Sequence, residues 1–127
     1  MDALSALRDA RLALHAALTM IMAWLAVLLA LPSDTFGTSQ SYAVMERIAP
    51  EPVWAMSFWM VASVGVCGLF TIHRVLRLVS VLVLATAHGV LALSLVLANP
   101  ATTGTGTYTV LAALGYYLAW RRTDDGF

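Results

Sequence analysis

The sequence predicts an all-α integral membrane protein: a four-helix bundle with a short outer interfacial helix and both termini on the cytoplasmic side. Three observations carry this expectation. Four apolar stretches fill most of the 127 residues, each near the roughly 20 residues that a helix needs to cross a hydrocarbon core of about 30 Å. Composition is the reverse of a soluble domain, with 61% apolar and 11% charged residues, where a soluble domain carries about a quarter charged. The arginines collect at alternate breaks between the stretches, as expected of a polytopic chain.

The whole length, 1–127, reads as a single transmembrane domain. Its first span is predicted over 12–31, with Pro32 closing it. That run is longer than the roughly 7–15 residues of a signal-peptide core, and Ala30-Leu31-Pro32 makes a poor cleavage pattern, so a retained anchor is expected. The outer loop, 32–52, is the longest polar break. Gly37, Thr38 and Ser39 suggest a turn feeding a short helix over 40–48, where Tyr42, Met45 and Ile48 recur at three-residue spacing. Such a helix would lie on the outer leaflet or cap the bundle; the alternative is a lid for a ligand or partner. Asp34, Tyr42, Glu46 and Arg47 are its candidate surface residues, with Tyr108 from the second outer loop.

The second span is predicted over 53–72. Pro52 suits the first turn of a helix, and Glu51 suits its positive end. The third span, 78–98, ends at Asn99-Pro100. No Gly or Pro marks the break between these two. One continuous helix would nevertheless drag Arg74 and Arg77 through lipid at about 2.5 kcal/mol or more each, so a hairpin is expected. The fourth span, 105–120, starts in a threonine–glycine run and ends in Tyr116, Tyr117 and Trp120, where an aromatic belt belongs. Trp54 reads as an interfacial anchor, whereas Trp24 and Trp59 are expected to pack between helices.

Orientation follows from the arginines. Arg8 and Arg11 precede the first span, Arg74 and Arg77 separate the second from the third, and Arg121 and Arg122 follow the fourth. The opposite side has only Arg47, offset by Asp34, Glu46 and Glu51. Both termini are therefore expected in the cytoplasm of a bacterial inner membrane. The two outer loops also share an order of residue types: Pro32, Thr35, Gly37-Thr38 and Tyr42 against Pro100, Thr103, Gly104-Thr105 and Tyr108. Either two hairpins are related as parallel repeats, or both loops simply use turn-forming residues.

Chemistry is scarce. A single cysteine, Cys67, excludes an intrachain disulfide. No acidic or basic residue falls inside the predicted spans, which argues against a proton-coupled exporter of the small multidrug resistance kind. The glycine-and-asparagine signature of small fluoride channels is missing too. His15 and His88 invite the idea of haem ligation. Their depths differ by roughly 10 Å at 1.5 Å per residue, so each is expected instead to form an interhelical hydrogen bond, with His88, near mid-membrane, the better functional candidate. Small residues spaced by four mark helix packing or oligomerisation: Ser63 with Cys67, Ala85 with Gly89, and Gly115 with Ala119. No catalytic constellation, metal cluster or phosphate loop is present in the sequence. The expectation is a non-enzyme with no cofactor, no nucleic-acid partner and no small-molecule substrate. Its partners would be the lipid bilayer and a second copy or another membrane protein.

The run Leu31-Pro32-Ser33-Asp34-Thr35-Phe36 through Tyr42, Met45 and Ile48-Ala49-Pro50-Glu51-Pro52-Val53-Trp54 resembles small four-span membrane proteins of tailed phages and prophages. Thr103-Gly104-Thr105-Gly106-Thr107-Tyr108, onward to Ala119-Trp120-Arg121, resembles their last helix. The likeness spans both outer loops and the fourth span, about half the chain. It implies a setting and an architecture rather than an active site. The chain departs from that pattern where an acidic residue is expected and Gly115-Tyr116-Tyr117 stands.

Two functions follow as expectations. The first is a holin-like protein that oligomerises into membrane lesions, consistent with small size, several spans, cytoplasmic ends and the charged tail Arg121-Arg122-Thr123-Asp124-Asp125. The second is a non-lytic membrane adaptor or superinfection-exclusion factor that binds another membrane protein through its outer loops. A small-solute channel ranks third.

Overall fold

Apolarity marks where lipid begins, not where a helix begins, and the helices of this chain outrun their apolar stretches. The computed structural model describes residues 3–124; Met1, Asp2 and the tail from Asp125 lie outside the described residues. Helix α1 covers Ala3–Ala30, so Arg8 and Arg11 stand on the helix itself. Helix α4 covers Glu51–Phe70, α5 covers Arg74–Ala98 and α6 covers Thr103–Asp124. Between α1 and α4 lie the single turn α2 (Thr35–Thr38), a 3₁₀ turn (Gln40–Tyr42) and α3 (Ala43–Ile48). No strand occurs among the described residues.

The predicted outer helix over 40–48 is therefore two pieces, and a further helical turn precedes it. Asp34, the N-cap of α2, accepts a hydrogen bond from the Gly37 amide at 2.8 Å, which makes a helix of residues that resemble an open turn. Its partner Phe36 is buried and stacks on Tyr42 with ring centroids 5.4 Å apart. Met45 is buried and Ile48 exposed, so the three-residue spacing does not form one apolar face.

The break between α4 and α5 is three residues long, Thr71 to His73, and it closes without Gly or Pro. Thr71 is extended; its hydroxyl accepts from the His73 amide at 3.2 Å, and its carbonyl accepts from Arg77 Nη2 at 2.6 Å. A threonine and an arginine thus do the work usually given to a turn glycine. At the end opposite the arginines, α5 and α6 are joined by residues 99–102, where the Thr102 hydroxyl accepts from the Thr105 amide at 3.3 Å.

Helix α5 occupies the centre. It packs along α4 on one side and along α6 on the other, while α1 packs chiefly against α4 and more lightly against α5 and α6. The main core joins Leu18, Met22 and Ala26 of α1 to Ala55, Phe58 and Ala62 of α4 and to Leu84 and Leu91 of α5. Val81, Leu118 and Ala119 form a second cluster between α5 and α6.

Two glycine seams set the helix spacing. A Cβ on Gly115 would lie 2.8 Å from Ala85 Cβ and 3.1 Å from its Cα, so α6 meets the α5 backbone there. A Cβ on Gly68 would overlap the Ser80 side chain and meet His15, and Gly65 faces Thr19 and Leu84 in the same way. Ala85 and Gly115 thus meet in a seam, and Ala119 is buried beside Val81 and Leu118. Gly89 has only an ordinary contact, with Ala112. Ser63 and Cys67 do not pack at all: both are exposed, because α4 turns Ala62, Gly65 and Gly68 inward and leaves that pair on the outer surface.

Trp24 and Trp59 also face outward, 62% and 46% exposed, rather than packing between helices. Three helices are long and apolar enough to cross a membrane, at Ala6–Ala30, Glu51–Phe70 and Arg74–Ala98. Helix α6 is long enough but less apolar, because its first half is threonine and glycine.

Overpacking a seam costs about 1–3 kcal/mol. G68V and G115V are expected to lower the unfolding midpoint in detergent micelles, whereas G106A, whose Cβ would meet nothing within 4 Å, is expected to leave it unchanged. Equal midpoints for all three would refute the seams.

Candidate functional site

Buried polar groups gather at two places, and the deeper histidine is not the better connected. At the arginine end, His15 of α1 is fully buried where α4, α5 and α6 converge. Its Nε2 lies 3.4 Å from Ser80 Oγ and its Nδ1 lies 3.4 Å from Arg122 Nη2. Ser80 donates to the Arg77 carbonyl at 2.8 Å, and Arg122 Nη1 donates to that same carbonyl at 3.1 Å.

The donors fix the tautomer. Arg122 has only N–H to offer, so Nδ1 accepts; the Ser80 proton is committed to Arg77, so Nε2 carries the hydrogen and donates. His15 is neutral in this arrangement. The Thr19 hydroxyl then donates back to the His15 carbonyl at 2.9 Å. Residues from α1, α5 and α6 are joined through one imidazole, and Arg77 continues the chain to Thr71 at the end of α4.

Arg77 and Arg122 do more here than mark a membrane side, which their sequence role as topology-setting residues does not suggest. Both are half-buried, as is Arg121; Arg8 and Arg74 are exposed and Arg11 is half-buried. Burial, then the like charges of Arg77 and Arg11, hold the Arg122 guanidinium below its usual value, at about 10.

His88 of α5 is fully buried two turns further along. Its Nδ1 bonds the Leu84 carbonyl at 2.8 Å, which leaves Nε2 as the bare acceptor, and that atom has no hydrogen-bond partner among the described residues. The expected interhelical hydrogen bond is absent there; the bond stays within α5. Tyr108 lies beside it at a centroid distance of 6.3 Å. Tyr108 is half-buried within α6 and is not a surface residue of a loop. His15 faces Ser80, and His88 stands eight residues beyond Ser80 on α5, about 12 Å along the axis, so the two rings share no site. Among the described residues no cluster could hold a metal ion.

The cap between α1 and α4 is held to α4 by three hydrogen bonds through two side chains. Glu51 Oε2 accepts from the Thr35 and Phe36 amides at 3.1 and 3.3 Å, serving the first turn of α2 as well as its own helix. Trp54 Nε1 donates to the Met45 carbonyl at 2.9 Å, so this indole clasps α3 instead of merely anchoring at the interface. Asp34, Glu46 and Arg47 remain exposed on the cap, while Tyr42 is half-buried. Beside it, Leu29, Leu31, Pro32, Glu51, Pro52 and Trp59 help line an open, mainly apolar groove of about 510 Å³.

Leaving a buried polar group unpaired costs about 1–3 kcal/mol. H15L strands Ser80 and Arg122 and is expected to destabilise by that order, while H88L removes an atom already unpaired and is expected to match or exceed the wild type in thermal unfolding. If H88L lost as much stability as H15L, the bare Nε2 would be wrong.

Neither protein-family models, nor curated proteins, nor solved structures match this chain.

Proposed function

We propose that this is a four-span bacterial inner-membrane protein, with both ends cytoplasmic, that works by self-association within the bilayer in a holin-like manner. Support for the fourth span comes from α6 lying against α5 from Gly104 at Leu95 to Arg122 at Arg77. A bilayer crossed by α5 is then crossed by α6, whose 22 residues span about 33 Å. The arginine-rich end supports the orientation.

One observation carries the self-association. The N-terminal half of the outward surface of α6 is small or hydroxylated, with Thr103, Gly106, Thr107 and Thr109 exposed, whereas Val110, Leu114, Tyr117 and Trp120 make its second half bulky. The Thr107 and Thr109 hydroxyls donate back to the Thr103 and Thr105 carbonyls at 2.9 and 2.8 Å, so the first half is internally satisfied and admits a second backbone closely. Outward faces elsewhere carry bulky groups suited to lipid tails, such as Met20, Met56, Met60 and Leu97, and the small outward residues of α4, Ser57, Ser63 and Cys67, are interspersed with Met56, Met60 and Val64. Copies meeting through α6 would gather threonines around a shared axis, where a lesion needs polar groups. The phage-type resemblance of the loops supplies a setting.

A membrane adaptor is the second reading. It is favoured by the bonded cap, which presents Asp34, Glu46 and Arg47 in a fixed arrangement to a partner outside.

Oxidative cross-linking tests the interface, since Cys67 is the chain's only cysteine. T107C in a C67S background is expected to give cross-linked dimers in membranes, and the wild-type Cys67, on the outer face of α4, is not. Equal cross-linking would remove α6 as the interface. Induced expression with a membrane-potential dye separates the two readings: abrupt depolarisation is expected for the lesion-former, and sustained growth at high expression leaves only the adaptor.

A further inference from the structure

At the arginine end, two of the arginines, Arg77 and Arg122, turn inward onto uncharged groups. Arg77 and Arg122 reach the same carbonyl region, the first as its owner and the second as a donor to it. Their hydrogen bonds go to two backbone carbonyls and to the His15 ring, all uncharged. Among the described residues, no carboxylate bonds either guanidinium, and the charges acting on Arg122 are Arg77 and Arg11, both positive. Arginine has five N–H donors. Arg77 commits one of them and buries a second, at Nε, while Arg122 commits two; both side chains are only half-buried, which leaves Nη donors of each for a ligand.

The first turn of α5 adds to this field. It has no acidic residue and no side-chain cap at its N-terminus, so its leading amides and the positive end of the helix dipole stand beside Arg77. The surroundings say what kind of anion fits. Phe70, Ile72, Val75 and Leu76 flank the turn and are 55–87% exposed. A soluble anion gains nothing from those side chains, whereas a phosphate carrying acyl chains covers them. Basic sites between helices at the cytoplasmic face are where anionic headgroups bind.

We propose that Arg77 and Arg122, with the first turn of α5, bind the phosphate of one anionic glycerophospholipid in the leaflet at the arginine end. The guanidinium forks match two phosphate oxygens, and the bound headgroup supplies the negative charge that no described carboxylate brings to either guanidinium. The lipid bridges α5 and α6 beside the His15 junction and so steadies the joint between the two hairpins. The placement in the cytoplasmic leaflet rests on the orientation proposed above; the binding itself does not.

The test compares the purified full chain in nanodiscs of pure phosphatidylcholine with nanodiscs of equal parts phosphatidylcholine and phosphatidylglycerol. The expected result is a rise in unfolding midpoint of about 5 °C with the anionic lipid, lost in the R77Q/R122Q double variant and retained in R47Q at the opposite end. Equal midpoints for the wild type in the two bilayers overturn the proposal without any variant, as does an undiminished rise in R77Q/R122Q. Should that double variant not fold, R122K keeps the charge but loses the fork and is expected to show a reduced rise; a full rise in R122K counts against the site. Inorganic phosphate added to phosphatidylcholine nanodiscs is expected to have no effect, and an equal rise with it would reassign the site to a free oxyanion and overturn the lipid. Nanodiscs present both leaflets and form no lesion, so a chain that prefers phosphatidylglycerol yet never depolarises cells sinks only the holin-like reading.

Discussion

Close approach of α5 to both of its neighbours is the constraint on which the rest of this bundle depends. Lipid tails are as apolar as leucine, so burying one more leucine between helices gains little; fitting backbones together gains contact. Gly68 brings α4 onto Ser80, and Gly115 brings α6 onto Ala85. At that spacing the side chains at the arginine end come within bonding range, and His15 can touch Ser80 and Arg122 at once. Widen either seam by a methyl group and the polar junction has to give way with it. The glycine seams and the hydrogen-bonded junction are one device seen at two scales.

The two buried histidines show how little residue type decides in such an interior. Both rings are fully covered, yet one is bonded at both nitrogens and the other at one. The difference comes from neighbours, not from depth. Near the arginine end the helix termini leave carbonyls and amides to be shared, whereas at mid-bundle every backbone group is already committed to its own helix. A ring placed there finds only its own turn, at Leu84.

Length and apolarity made three membrane-length helices legible in the sequence, and the four-residue spacing picked out Ala85, Gly115 and Ala119, which lie buried in the structure. The same spacing marked Ser63 and Cys67, which lie on the outer surface, where only the oligomerisation alternative is open to them, and the reason is physical. In water a helix declares its inner face by being apolar on one side only. In a membrane both sides are apolar, so spacing says that two residues share a face without saying which face. Trp24 and Trp59 were misread on the same ground, since a bulky indole is equally at home against lipid. The inward roles of Arg77 and Arg122 were hidden for another reason. Arginine at a span edge reads as a topology marker, and its long stem leaves its reach undetermined until the helix spacing is known. The cap was partly legible: Asp34 is a good N-cap residue, but the bond from Glu51 across to α2 joins positions that no local pattern links.

Link lengths have a mechanical consequence. Three residues join α4 to α5 at the arginine end, and four join α5 to α6 at the other, so neither pair can part at its joined end. Across the α1–α6 side the imidazole junction holds the arginine end shut. At the opposite end the 3₁₀ turn and α3 both lean on α5. Residues 40–48 thus tie the α1–α4 hairpin to α5 at the end where no α4–α5 link runs.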